Sequence, residues 1–99
     1  MLFMILAHDK ADSTDLRMKV RPAHVEYIKG AAERLKFAGP IMSAGDDPKA
    51  IGSLIVLDAA SETAVQIFAD NDPYATAGLF ETVEIRHWKG IFGDWVPAE

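Results

Sequence analysis

The fold of this chain is indicated by its first apolar run, Leu2-Phe3-Met4-Ile5-Leu6-Ala7-His8, which ends at polar Asp9 and Lys10. A short apolar run bounded by polar residues is typical of a β-strand. The run does not alternate between apolar and polar residues, as a strand with one wetted face would. A later run, Ile51–Leu57, has the same property. Both faces of the predicted sheet are therefore expected to be covered.

The segment after the first strand carries a helical pattern. Asp12, Ser13 or Asp15 could cap a helix here, and Pro22 fits the first turn of a helix, where its missing N–H costs nothing. From there apolar side chains recur at helical spacing, which predicts an amphipathic helix that Gly39 and Pro40 end. The predicted inward stripe consists of His24, Tyr27, Ile28, Ala31 and Leu35.

The second half of the chain adds the remaining elements. Ile41–Ala44 is predicted as a short strand, Ser61 as the N-cap of a second helix, and Phe80–Lys89 as the last strand. The order βαββαβ indicates an α+β ferredoxin-like sandwich with an antiparallel sheet. If both helices cover one face of that sheet, the other face is expected to pack against a second copy, which predicts a homodimer.

Composition narrows the function classes. Ninety-nine residues predict a single domain over 1–99, and the absence of cysteine excludes disulfides and thiolate chemistry. A net charge of −5 disfavours nucleic acid and anionic membranes as partners. The third strand also lacks the aromatic and basic residues with which RNA-recognition modules of this topology bind RNA. No membrane span or signal segment is predicted at the N-terminus, so a cytoplasmic protein is expected.

Three histidines, His8, His24 and His87, are the obvious candidates for chemistry. None has a second ligand at helical spacing, so no metal site is predicted. His24 lies on the inward stripe, where it is either a satisfied core histidine or a proton-transfer group facing a cavity. Arg21 lies about one helical turn before it, as a carboxylate-binding group or a solvated side chain.

Two further candidates stand in the sequence Asp72-Pro73-Tyr74. Asp72 has the pattern of an N-cap followed by a first-turn proline, and it could instead orient a histidine or accept a substrate proton. Tyr74 could donate a hydrogen bond to a substrate or simply be packed. The residues alone favour capping and packing for this pair.

Several of these motifs together resemble the YciI family of YCII-related domains. The resemblance rests on Met1–Lys10, Arg17, Val20–His24, Ala38–Pro40 and Asp70–Tyr74 with Ala77-Gly78, and it covers nearly the whole chain. It implies the dimeric α–β barrel superfamily and a site built on a histidine–aspartate pair. Carried over by motif, that pair is His24 and Asp72, with Arg21 and Tyr74 beside it. At position 8, where the resemblance implies a different polar residue, this chain has His8.

The resemblance implies cofactor-free proton transfer on a small oxygenated ring, of the dehydrochlorinase or muconolactone-isomerase kind. His24 would then act as general base or acid, and Asp72 would fix its tautomer. Arg21 or Tyr74 would stabilise an oxyanion. The alternative is a non-catalytic domain that binds a small ligand or a partner, since the fold allows both. A haem-dependent barrel enzyme is a third possibility.

Overall fold

A computed structural model describes residues 1–96 and confirms the predicted βαββαβ order. The sheet has the strand order β2-β3-β1-β4, and all three neighbouring pairs are antiparallel. The predicted domain end at residue 99 lies outside the described residues. The elements are β1 Leu2–Asp9, α1 Thr14–Lys29, a 3₁₀ turn Ala32–Arg34, β2 Leu35–Met42, β3 Ala50–Asp58, α2 Glu62–Asp70, α3 Pro73–Thr76 and β4 Phe80–His87.

The first helix begins after Ser13, one of the three predicted cap positions, and ends earlier than the sequence predicts. Ser13 is the N-cap position and Pro22 lies inside the helix rather than in its first turn. A proline there leaves the carbonyl four residues earlier without its helical donor. Pro22 and Met18 are both exposed, so that carbonyl lies on the side that water reaches. The placement of Pro22 in the first turn was therefore wrong, because solvent can replace the missing hydrogen bond inside the helix.

The predicted helix end at Gly39 and Pro40 was also wrong. The helix stops at Lys29, and Leu35–Met42 forms β2, which includes the segment predicted as helix end and as a short strand from Ile41. Proline is tolerated in β2 because this strand lies at the edge of the sheet, where one side needs no ladder partner. The apolar spacing of residues 28, 31 and 35 misled the prediction, since Leu35 already pairs with Leu57 of β3.

The second helix is positioned as predicted. The Ser61 hydroxyl accepts a hydrogen bond from the Ala64 N–H at 3.1 Å, so Ser61 is the N-cap of α2. The helix ends just before the Asp72-Pro73 pair, because a residue before proline avoids the helical region. Asp72 then caps the short helix α3, whose first residue is Pro73.

The core lies between the helices and one face of the sheet. Side chains alternate across a strand, so Phe3, Ile5 and Ala7 of β1 share the face toward the helices. Ile55 and Leu57 of β3 lie opposite them in the register and belong to the same buried cluster. Helix α2 completes that cluster with Val65, Phe68 and Ala69.

The second face of the sheet, which points away from the helices, is only partly covered within one chain. Leu2, Met4 and Leu6 of β1 point to this face and are half-buried. Large apolar side chains of the C-terminal segment are exposed as well, with Phe92 at 89% and Trp95 at 79%. Within residues 1–96, no helix has the length and apolar character needed to cross a membrane.

Candidate functional site

A cavity of about 300 Å³ lies between α1 and the strands β2 and β3. Its walls combine polar side chains of α1 with apolar side chains such as Ile28, Leu35 and Ile55. The polar residues that line it are Arg17, Arg21, His24, Lys29, Ser53 and Tyr74. Three of the four residues predicted for the site therefore line one cavity, and the fourth, Asp72, lies directly behind His24.

His24 and Asp72, which are 48 residues apart in sequence, are in contact. Nδ1 of His24 lies 2.8 Å and 3.0 Å from the two carboxylate oxygens of Asp72. An ionised carboxylate only accepts hydrogen bonds, so Nδ1 carries the hydrogen and donates it to Asp72. The Nε2 atom is then the ring nitrogen left for a bound molecule. The His24 side chain is 14% exposed and that of Asp72 only 3%.

The Asp72 carboxylate is held by the backbone N–H of Tyr74 as well as by His24. Its Oδ1 accepts a hydrogen bond from the Tyr74 N–H at 2.9 Å, which is the N-cap bond of α3. The structural and the functional interpretations of this residue are therefore compatible. The cap fixes the carboxylate at the end of α3, and the fixed carboxylate orients the imidazole of His24.

Tyr74 lies at the centre of the polar side chains. The His24 ring stacks on the Tyr74 ring with centroids 3.9 Å apart, and the Arg17 guanidinium carbon lies 4.5 Å from the same centroid. Burial raises the pKa of the Tyr74 hydroxyl, the charges of Arg17 and Arg21 oppose that rise, and Asp72 adds to it. The phenol is therefore neutral at neutral pH and keeps its proton for donation.

Arg17 is the residue that sequence reasoning missed as part of the site. Its Nε and Nη2 donate to the two carboxylate oxygens of Asp9 at 2.6 Å and 3.0 Å. Nη2 also donates to the Ser53 hydroxyl at 2.9 Å. Burial alone would lower the pKa of Arg17, but the hydrogen bond and charge of Asp9 outweigh it and raise the pKa. Arg17 is thus a permanent buried cation whose charge Asp9 balances.

Arg21 differs from Arg17 in its exposure. It lines the cavity from the next turn of α1, and no hydrogen bond or ion pair joins it to another residue of 1–96. A sequence signal for the set existed, because residues 17, 21 and 24 follow the i, i+4, i+7 spacing of one helix face. Across the same described range, no cluster of three or more histidine, aspartate or glutamate side chains suits a metal ion.

The fold and this site define a class of protein. The antiparallel four-stranded sheet with its helices on one face is a ferredoxin-like α+β fold of the dimeric α–β barrel class. The comparison with family models makes the assignment specific. This chain belongs to the YCII-related domain family, whose model matches residues 1–89.

Similar proteins support the same assignment. The chain is 40% identical over 98 residues to the protein YciI of Escherichia coli, covering 93% of this chain and all of that one. It is 36% identical over 86 residues to the derivative of benzaldehyde biosynthesis cluster protein C of Emericella nidulans, covering 78% and 88% of the two chains.

A solved structure of an enzyme is also similar. It is the 5-chloro-2-hydroxyhydroquinone dehydrochlorinase of Burkholderia phenoliruptrix in complex with 2,5-dihydroxybenzoquinone. The TM-score is 0.85 at 32% identity, covering 90% of this chain and 94% of that one. The family, the cavity and this neighbour fit a protein that acts on small molecules.

Proposed function

We propose that this protein is a cofactor-free enzyme that moves a proton on a small oxygenated ring compound. The observation that carries the proposal is the contact between His24 Nδ1 and the Asp72 carboxylate at 2.8 Å. It commits one ring nitrogen to a buried acid and leaves Nε2 for a molecule in the cavity. A histidine held in this way is a recurrent general acid–base device.

The chemistry follows from this arrangement. The lone pair of Nε2 takes a proton from a hydroxyl or an acidic carbon of the substrate, and the electron pair of the broken bond stays on the substrate. The imidazolium that forms lies beside the Asp72 carboxylate, which stabilises it. Return of the proton to another atom gives an isomerisation, and departure of an anionic leaving group gives a lyase reaction.

Arg21 and Tyr74 are proposed to bind the substrate. The Arg21 guanidinium has no ion-pair partner among residues 1–96, so its donors are available to an anionic oxygen. The Tyr74 phenol is buried and neutral, and it packs against His24 with its ring. Hydrogen bonds from such groups to developing negative charge are among the larger contributions to catalysis.

The size of the cavity and the solved neighbour support a ring substrate. A volume of about 300 Å³ lies at the lower end of the usual range for ligand sites, which suits a single substituted ring. The dehydrochlorinase neighbour acts on a hydroxylated ring and was solved with a quinone bound. We therefore propose hydroxylated or quinonoid rings as the substrate class for this chain.

The test compares two histidines. Wild-type protein is assayed for turnover of 5-chloro-2-hydroxyhydroquinone and of a panel of hydroxylated rings, followed by absorbance and chloride release. His24→Gln is expected to lower kcat by roughly 10²- to 10⁴-fold, since it removes the base. His8→Gln is the matched control, because His8 is exposed and does not line the cavity.

Asp72→Asn separates orientation from charge. The amide retains an oxygen that can accept the Tyr74 N–H, so the cap of α3 is preserved. It lacks the negative charge that stabilises the imidazolium, and a lower kcat with little change in KM is expected. Turnover that survives His24→Gln would contradict the proposal. Binding of the rings with no turnover in wild type would favour the alternative, a non-catalytic ligand-binding domain.

We propose in addition that two copies associate through the second face of the sheet, as the fold family suggests. Half-buried Leu2, Met4 and Leu6 on that face support this, as do the exposed rings of Phe92 and Trp95. Solvent-exposed apolar area of this kind commonly marks a protein–protein interface. We likewise propose a single domain over residues 1–99 and a cytoplasmic location.

Sedimentation equilibrium at micromolar concentration tests the association. Wild type is expected at twice the chain mass of 10.8 kDa, and Leu6→Glu at the chain mass. Ile67→Glu is the matched control, since Ile67 is 57% exposed on α2, away from the second face. A monomeric wild type, or equal dissociation of both variants, would contradict the sheet-face dimer.

A further inference from the structure

Ser53 is the polar residue among the strand residues that line the cavity, which are otherwise apolar. It lies in β3 opposite Ala7 of β1 and Pro40 of β2, on the face that carries Ile55 and Leu57 toward the helices. Its exposure is only 3%, yet it lines the same cavity as His24. Apolar side chains would fill this position without a need for partners, so the hydroxyl calls for an explanation.

The hydrogen bonds of Ser53 leave one proton available. Arg17 Nη2 donates to the Ser53 Oγ at 2.9 Å, so in this contact the oxygen is the acceptor. A serine hydroxyl is also a donor, and within residues 1–96 no acceptor takes its proton. Because Ser53 lines the cavity, the O–H is free to donate to a bound molecule. A donor whose oxygen is already bound to a cation is a stronger donor than an isolated hydroxyl.

The charges around the cavity favour an anion there. Arg17, Arg21 and Lys29 line it, and no carboxylate does. Asp9 balances Arg17, whereas neither Arg21 nor Lys29 forms an ion pair with a described residue. This positive surface occurs in a chain with a net charge of −5, so it is a local feature and not a reflection of composition.

We infer that the Ser53 hydroxyl, backed by Arg17, is an anion subsite that binds a phenolate or enolate oxygen of the substrate. The inference rests on the proposed function and names the substrate class of the same cavity. When His24 Nε2 takes a proton, the electron pair stays on the substrate and places negative charge on its oxygen. That oxygen accepts the Ser53 hydrogen bond, while Arg17 acts through Ser53 as a positioning residue.

4-Nitrophenol is a suitable probe, because its phenolate absorbs visible light and its phenol does not. It is titrated through neutral pH with and without excess protein, and the apparent pKa of the bound probe is read from the absorbance. Wild type is expected to lower that pKa, since the subsite binds the anion. Ser53→Ala is expected to weaken phenolate binding roughly tenfold, the effect of losing a hydrogen bond to a charged group.

Two controls make the result specific. 4-Nitroanisole has nearly the same shape but no ionisable hydroxyl, so its affinity should be equal in wild type and Ser53→Ala. Ser43→Ala removes a hydroxyl that accepts from the Lys49 N–H in the loop between β2 and β3, away from the cavity. That variant should bind both probes as wild type does.

The outcomes separate this inference from the proposed function. Three results would overturn the anion subsite. Wild type could leave the pKa of 4-nitrophenol unchanged, Ser53→Ala could bind the phenolate as wild type does, or Ser53→Ala could bind 4-nitrophenolate and 4-nitroanisole more weakly by the same factor. His24→Gln is expected to keep the phenolate preference while losing turnover. If turnover instead survives in His24→Gln, the acid–base proposal fails, and a preference that still depends on Ser53 supports the anion subsite as a binding site.

Discussion

The space between the sheet and the helices has two halves of opposite character. Below α2 it is filled by apolar side chains, with Val65 and Leu57 almost fully buried at 0% and 1% exposure. Below α1 and α3 it contains a cluster of ionisable and hydroxyl groups, here called the polar half. The polar half consists of Asp9, Arg17, His24, Ser53, Asp72 and Tyr74.

The two halves contribute to the fold by different means. Burial of apolar area stabilises the apolar half directly, at about 25 cal/mol per Å². The polar half has to replace hydration by internal hydrogen bonds, and within residues 1–96 no buried side-chain polar atom lacks a partner. A buried ion pair that is fully satisfied is weak evidence for stability. Pairing in the polar half therefore offsets the cost of burying its charges, whereas burial in the apolar half is a direct gain in stability.

Removal of Arg17 should have the largest effect on stability. In Arg17→Met the Asp9 carboxylate, whose side chain is 4% exposed, is left buried without its partner. We expect a loss of about 3 to 5 kcal/mol in the free energy of unfolding, as for other broken buried pairs. That is a large part of the 5 to 15 kcal/mol typical of a domain. Urea unfolding followed by circular dichroism measures it.

The double variant Arg17→Met/Asp9→Val sharpens the comparison. It makes this part of the polar half resemble the apolar half, since no buried charge is left. We expect it to recover most of the lost stability. Turnover should stay low, because Ser53 and Tyr74 no longer have the guanidinium beside them. If the free energy of unfolding of Arg17→Met lies within about 1 kcal/mol of the wild-type value, the Asp9 carboxylate reaches water without its partner and the pair is not truly buried.

Leu57→Ala tests the apolar half and should have the next largest effect. Leu57 lies in β3 opposite Phe3 and is 1% exposed. Truncation leaves a cavity, and a loss of about 2 to 4 kcal/mol is expected from comparable core substitutions. Below its melting temperature this variant should keep wild-type kcat, because no group of the polar half has changed. A lower kcat at full folding would show that the two halves are coupled.

The fold was predictable from the chain because its signals are local. The apolar run of β1, the Ser61 cap of α2 and the Asp72-Pro73 start of α3 all appear where the sequence places them. Ser13 was one of the predicted caps of α1, but the end of this helix and the position of Pro22 inside it were not predictable, since Pro22 and the edge-strand Pro40 are tolerated only through solvent and sheet position. Those are properties of the folded molecule and not of the local sequence.

The site was predictable only in part, for a related reason. His24 and Asp72 were found by motif, and their contact across 48 residues needed the structure. The link from Arg17 to Ser53 spans 36 residues and carries no motif. The available signal was a serine at an inward position of an otherwise apolar strand, together with an arginine seven residues before His24 on the same helix face.

Tyr27→Phe tests the boundary between the halves and should have a smaller effect. The Tyr27 hydroxyl donates to the Phe68 carbonyl at 2.7 Å, and the two rings lie 4.8 Å apart. The variant keeps the ring packing and loses the hydrogen bond, for an expected loss of about 1 kcal/mol. Turnover should be unchanged, since Tyr27 does not line the cavity. A change in kcat would place Tyr27 functionally with the polar half.

The smallest predicted effect is the pH dependence of the difference in free energy of unfolding between wild type and Tyr27→Phe. Burial raises the pKa of Tyr27 above its ordinary value, the charge of Asp72 adds to the rise, and Arg34 opposes it. A raised pKa means that the folded state holds the proton more tightly than the unfolded state. The stabilisation is therefore complete below the unfolded pKa of about 10 and is lost as pH rises through the folded pKa. Wild type and Tyr27→Phe, compared by urea unfolding at increasing alkaline pH, should converge in stability. A constant difference would show that Tyr27 titrates equally in both states, and that its hydroxyl is as well solvated in the fold as in the unfolded chain.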